Sequence, residues 1–242
     1  MNDNSPRLPA DLATHFSKTD AYGLYLTVGL AIMLLASCAF GLIASEMTAG
    51  VGLSTVDAPL ANWLHARLHS RWTPFMLLIT HWHQPAGVLV MAALLGGWFY
   101  RQGLRYWLLA LLLAIPGGMI LNVLIKYTFH RARPSFDDPL ITLTTYSFPS
   151  GHTVGATLFY GLLAAYAVCS SSSRRWGARA AAVAGAAAMV ALVAFSRIYL
   201  GVHYLSDVLA AVAEGCAWLA LCITAVSALR RRNAVRTKQQ GE

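Results

Sequence analysis

Residues Leu24 to Ile43 read LYLTVGLAIMLLASCAFGLI, and no charged side chain occurs between Asp20 and Glu46. A helix needs about 20 predominantly apolar residues to cross a bilayer, and this run supplies them. A secretory signal would carry a shorter apolar core behind a basic leader. Here the leader holds Asp3, Asp11 and Asp20 beside Arg7 and Lys18, so the run reads as an uncleaved first span.

Outward from it, uncharged stretches recur at Trp72–Tyr100, Tyr106–Ile125, Thr153–Ser173 and Ala180–Ser196, and again at Val208–Leu229 with Glu214 inside. Of the 242 residues, 57% are hydrophobic and 12% are charged, against roughly 25% charged in soluble domains. This composition excludes a soluble enzyme. The expected fold is all-α: a polytopic membrane protein whose six transmembrane helices form a bundle, with a short amphipathic surface helix between helices one and two. Val56, Leu60, Trp63, Leu64 and Leu68 predict that surface helix, recurring at helical spacing among Asp57, Asn62, His65 and Arg67. Pro116, Gly117 and Gly118 predict a bend in the third span. Gly177, Ala181 and Gly185, at four-residue intervals, predict a close helix–helix seam. The chain divides into a cytoplasmic N-terminal segment (1–20), a six-helix membrane domain (21–229) and a basic, solvated and partly disordered cytoplasmic tail (230–242).

The formal net charge of +8 follows topology. With the N-terminus in the cytoplasm, that side holds Arg7, Lys18, Arg101, Arg105, Arg174, Arg175, Arg179, Arg230, Arg231, Arg232, Arg236 and Lys238, which is 12 of the 18 basic residues. Positive residues accumulate on the cytoplasmic side of membrane proteins. The expected placement is therefore a multi-pass membrane protein with both termini cytoplasmic. The bilayer explains the charge, and no nucleic-acid partner is needed.

Three polar groups fall at the opposite, outer face. Lys126 ends helix three and is followed by Arg131, Arg133 and Pro134. Pro149, Ser150, Gly151 and His152 open helix four; Ser196 and Arg197 end helix five, and His203 and Asp207 open helix six. Taken singly, the cations could snorkel to the interface and His203 with Asp207 could be an ordinary i,i+4 pair. Convergence of all three groups suits phosphoryl transfer, which proceeds by positioning and electrostatic stabilisation of charged oxygens. Lys126, Arg133 and Arg197 supply cations. The first backbone N–H groups of helix four, around Ser150, Gly151 and His152, form an anion site. No carboxylate cage for a divalent metal is visible, which leaves histidine as the nucleophile. A carboxylate one turn away can hold the proton on one ring nitrogen while the other attacks, as His203 with Asp207 could, and His152 can serve as acid and base.

The segments KYTFHRARP (126–134), PSGH (149–152) and SRIYLGVHYLSD (196–207) resemble the three ordered motifs of the type 2 phosphatidic acid phosphatase (PAP2) superfamily, K-x6-R-P, P-S-G-H and S-R-x5-H-x3-D. The resemblance covers a core of about 72–229. It implies a six-helix bundle and metal-independent hydrolysis with no cofactor. The implied substrate is a membrane lipid phosphate or diphosphate, such as phosphatidate, phosphatidylglycerol phosphate or undecaprenyl diphosphate, attacked at the outer face. It also implies a phosphohistidine on His203 supported by Asp207, His152 as acid, and phosphate held by Lys126, Arg133, Ser150, Gly151 and Arg197.

His81, His83, His130 and Arg131 remain as candidate headgroup contacts, with an interfacial belt as the plainer reading of His81, Trp82 and His83. Glu214, two turns beyond Asp207, reads as a hydrogen-bonded packing residue, His65 and His69 belong to the surface helix, and Cys38, Cys169, Cys216 and Cys222 read as apolar packing. Two alternatives keep the same spans: a lipid-to-lipid phosphotransferase using the same site, and a membrane transporter. The transporter reading fits less well because transport sites usually lie near the midplane, whereas these polar residues sit at helix ends.

Overall fold

The computed structural model describes residues 10–68, 71–170 and 176–239, with side chains from residue 26 onward except at 238. Arg7, His69, Ser171 to Ser173, Arg174 and Arg175 lie outside the described residues, as do the side chains of Lys18 and Lys238. The described residues form eight helices: α1 Ala10–Ala49, α2 Ser54–His65, α3 Thr73–Trp82, α4 Pro85–Arg101, α5 Arg105–Phe129, α6 Gly151–Ser170, α7 Trp176–Tyr199 and α8 Leu205–Gln239.

Five of these helices are long and apolar enough to span a membrane, and α3 with α4 would make a sixth if the pair, bent by 56° at its break, counts as one span. The uninterrupted span expected over Trp72–Tyr100 is thus corrected. Pro85 offers no N–H and disfavours helical geometry at the residue before it. Gln84 accordingly sits extended, at φ −61° and ψ 158°. Gly87 lets the bend close, since a Cβ there would lie 2.2 Å from the Trp82 carbonyl oxygen.

α6 sits centrally, packed against α5, α7 and α8, while α1 lies along α8. Val88, Phe99, Ala114, Ile115, Val154, Leu158, Leu162 and Ala211 fill the core between α4, α5, α6 and α8. The bundle's outer faces present Leu34, Leu35, Leu94, Leu112 and Ile120, as a lipid-facing surface requires. Small residues permit the tight inner contacts: a Cβ on Gly118 would stand 2.4 Å from Leu158, and one on Gly161 2.6 Å from Leu219. α5 continues through Pro116 as one helix.

Three further expectations change. A Cβ on Gly177 or Gly185 would meet nothing within 4 Å, so the expected seam on α7 faces away from this chain's own bundle. The basic segment from Arg230 continues α8 as far as Gln239, with Arg230 lying 5.9 Å over the Tyr106 ring. Ala and Arg are strong helix formers, and extending an existing helix avoids the cost of nucleation. Finally, α2 does more than lie on the bilayer. It turns Asp57, Ala61 and Leu64 inward, with Leu68 buried just beyond its end, onto α7 and α8, and leaves Val56 and Trp63 outside.

Gly215 lies where α8 crosses α6, and a Cβ there would stand 2.7 Å from Thr157 Cγ2. Gly215→Val should lower the thermal unfolding midpoint in detergent through an overpacking cost of about 1–3 kcal/mol. An unchanged midpoint would show that this crossing has slack.

Candidate active site

The C-termini of α5 and α7, the N-termini of α6 and α8, and the 130–150 connection meet at one end of the bundle. His130, in left-handed conformation at φ 50°, caps α5 and turns the chain into that connection. The connection then folds back, with Ser147 N–H donating to the Arg131 carbonyl at 2.8 Å.

Asp207 is the hub of this end. It is fully buried and accepts hydrogen bonds on both carboxylate oxygens. Oδ2 takes the Tyr204 N–H at 2.9 Å, faces His203 Nδ1 at 3.3 Å and receives a close contact from the Ser147 hydroxyl. Oδ1 takes Arg131 Nη1 at 2.6 Å. The backbone carbonyl of Asp207 accepts the Ser150 N–H at 3.1 Å, which ties the start of α6 to the start of α8. With Nδ1 of His203 turned to Asp207, its Nε2 faces Arg133 Nη1 at 3.2 Å.

Burial lowers the His203 pKa to about 3, against the opposing pull of Asp207 and with help from Arg197 and Arg133. The neutral ring, the nucleophilic form, is therefore the resting one. Burial also lowers the Arg133 pKa, with Asp207 opposing. At Arg131 burial again works against the charge, but Asp207 and Asp57 outweigh it and hold the pKa above its ordinary value.

The cations divide into two kinds. Arg131 pairs with Asp57 at 2.7 Å and with Asp207 at 2.6 Å. Lys126, Arg133 and Arg197 form no ion pair with a carboxylate among the described residues. Lys126 Nζ donates to the carbonyls of Tyr146 and Ser147 at 2.8 and 3.3 Å. Arg133 donates to the carbonyls of Val202 and Thr145, each at 2.7 Å. Arg197 is only 2% exposed, contacts the Thr80 hydroxyl closely, and leaves its buried Nε without a partner. Buried charge without a counter-charge is costly, so the arrangement calls for an anion. Among the described residues, no three His, Cys, Asp or Glu side chains are grouped as metal ligands.

The Ser150 N–H, expected to be open to an anion, is already spent on Asp207. The N–H groups of Gly151 and His152, in the first turn of α6, have no intrahelical acceptor. His152 is half-buried, within electrostatic reach of Arg197, His203, His83 and Arg133. The candidate headgroup contacts separate. His81 and His130 are exposed. His83 is buried, its ring between the Ile79 carbonyl at 2.7 Å and the Tyr160 hydroxyl at 2.9 Å. Arg131 commits both terminal nitrogens to Asp57, Ser206 and Asp207 and so turns inward rather than toward a headgroup. Glu214 accepts from Asn122 Nδ2 at 3.0 Å, and Asn122 Nδ2 also lies 3.4 Å from the Pro149 carbonyl. His65 stacks on Phe136 and meets Asp138 at 2.9 Å.

Asp57, Ser147, Thr80 and Asn122 were missed in the sequence reading. Asp57 had a legible signal: it shares the i, i+4, i+7 stripe with Ala61 and Leu64, which makes it an acid on an otherwise apolar face. Ser147, in an irregular segment, had none.

A sequence model described as the PAP2 superfamily matches residues 106–231. Phosphatidylglycerophosphatase B of Bacillus subtilis (strain 168) is 33% identical over 143 residues, covering 57% of this chain and 66% of that protein, just under two thirds of its length. Lipid phosphate phosphatase delta of Arabidopsis thaliana is 34% identical over 79 residues, or 33% of this chain and 19% of that one. A crystal structure of a transmembrane PAP2 type phosphatidylglycerolphosphate phosphatase from Bacillus subtilis superposes with a TM-score of 0.65 at 26% identity, covering 80% of this chain and 93% of that chain.

A histidine held neutral in the fold binds a proton more readily when unfolded, so stability contributed by His203 is present above pH 6.5 and is lost as the pH falls toward 3. Unfolding midpoints measured across that window should decline with acidification, and His203→Gln should flatten the slope. An equal slope in both proteins would contradict the burial argument.

Proposed function

Because the chain belongs to the PAP2 superfamily, we propose that it is a membrane lipid phosphatase that hydrolyses a lipid phosphate monoester or diphosphate through a phosphohistidine on His203. The observation that carries this reading is the set of cations, Lys126, Arg133 and Arg197, that form no ion pair with a carboxylate among the described residues, beside a histidine whose Nδ1 faces one. A phosphate group would supply the missing negative charge, and forked guanidinium donors match its oxygens.

In the first step His203 Nε2 forms a bond to phosphorus as the bond to the lipid oxygen breaks, and His152 gives its proton to that oxygen. The incoming phosphate's negative charge favours a proton on His152. Asp207 holds the Nδ1 proton and balances the positive charge that the ring gains on attack. In the second step water attacks phosphorus, His152 takes the water's proton, and the N–P bond breaks. The name of the B. subtilis relative, a phosphatidylglycerophosphatase, favours a glycerolipid monophosphate over an isoprenoid diphosphate. The distribution of basic residues supports cytoplasmic termini with the site at the opposite, outer face, and the family resemblance supports placement in the inner membrane.

Purified protein assayed in EDTA against phosphatidylglycerol phosphate, phosphatidate and undecaprenyl diphosphate should release inorganic phosphate, and His203→Ala should abolish release while keeping its fold. Full activity of that variant would remove His203 as nucleophile, and release that requires an acceptor lipid would indicate transfer instead. Topology reporters placed after Leu140 and after Glu242 should fall on opposite sides of the membrane; a shared side would break the six-span arrangement.

A further inference from the structure

Asp57 lies on α2, outside both the three motifs and the matched region 106–231. It is nevertheless 3% exposed and heavily bonded. Its Oδ1 accepts the Ser206 N–H at 3.0 Å; its Oδ2 accepts the Ser206 hydroxyl at 2.5 Å and Arg131 Nη2 at 2.7 Å. Arg131 then reaches Asp207 Oδ1 with its other terminal nitrogen, while its guanidinium lies 4.4 Å over the Tyr204 ring. An unbroken line runs from the interfacial helix to the carboxylate that faces His203.

We propose that Asp57 is a positioning residue for phosphoryl transfer, acting through Arg131 to keep the negative charge of Asp207 available to His203. The inference rests on the phosphohistidine reading. Attack on phosphorus leaves positive charge on the imidazole, and Asp207 is the carboxylate beside it. An arginine bonded to Asp207 alone would cancel that charge. Asp57 takes up the guanidinium's charge on the other side, so Asp57, Arg131 and Asp207 together retain one net negative charge next to the ring. The planar fork held between two carboxylates also fixes the Asp207 plane, which leaves Oδ2 for Nδ1 of His203. Burial strengthens each of these terms relative to water.

A bracing role alone, with Asp57 tying α2 to α8 through Ser206, predicts different kinetics. Charge removal in Asp57→Asn should lower kcat by about tenfold or more with KM within twofold, at an unfolding midpoint near that of the wild type. The double variant Asp57→Asn/Arg131→Gln restores one net negative charge and should recover most of that loss. Wild-type kcat in the single variant would overturn the proposal. So would a double variant no better than the single, which would leave only the brace. If the single variant does not fold, the double variant decides alone, because it keeps the same net charge beside His203 as the wild type: kcat within about tenfold of wild type supports the proposal, and kcat at the His203→Ala level overturns it. Wild-type protein and His203→Ala run alongside keep the two readings apart. Absence of wild-type turnover would end both, whereas robust wild-type turnover with an indifferent Asp57→Asn would end this one only.

Discussion

A carboxylate buried at the end of an apolar bundle must have every lone pair occupied, and Asp207 meets that demand by drawing the site together around itself. Its side chain gathers Arg131 and Ser147 from the connection, the Tyr204 N–H from the entry to α8, and His203. Its backbone carbonyl takes the first N–H of the α6 segment. The cost of an unsatisfied buried charge enforces this convergence. The orientation of the His203 ring follows from it, because Nδ1 turns to the carboxylate and Nε2 is left to face Arg133.

Small residues deeper in the bundle make that convergence possible. Gly118, Gly161 and Gly215 let α5, α6 and α8 approach until no Cβ would fit. In lipid, where burial of apolar surface gives little drive for helices to associate, close backbone packing carries more of the stability. The break between α3 and α4 follows similar logic. It places His83 inside the bundle against Tyr160 rather than on its surface, and the N–H groups of His83 and Gln84 at the break are met locally by the carbonyls of Thr80 and His81.

The charges at this end are partitioned by partner. Arg131 sits between two carboxylates and is electrostatically complete. Lys126, Arg133 and Arg197 donate to carbonyls and hydroxyls, which orient them without cancelling their charge. Cations held in place but not neutralised form a preorganised receptor for an anion, and little reorganisation is needed when the anion arrives.

Spans, helical class, the amphipathic α2 and the residues of the three motifs were legible in the sequence, because hydropathy and fixed local spacing are one-dimensional properties of a chain. His203 and Asp207, four apart, were legible as a pair, although His203 lies in the bend before α8 and the fold brings its Nδ1 to 3.3 Å from the carboxylate. The small-residue spacing on α7 was equally visible but misleading, since spacing says which residues share a stripe and not whether a neighbour covers it. Tertiary structure alone decided that Arg131 turns inward while Arg133, two residues later, forms no ion pair with a carboxylate among the described residues. It alone brought Asp57, 74 residues from Arg131 in sequence, into contact with it. Those outcomes depend on which distant groups compete for a limited number of buried donors and acceptors. That competition is settled only when the helices pack.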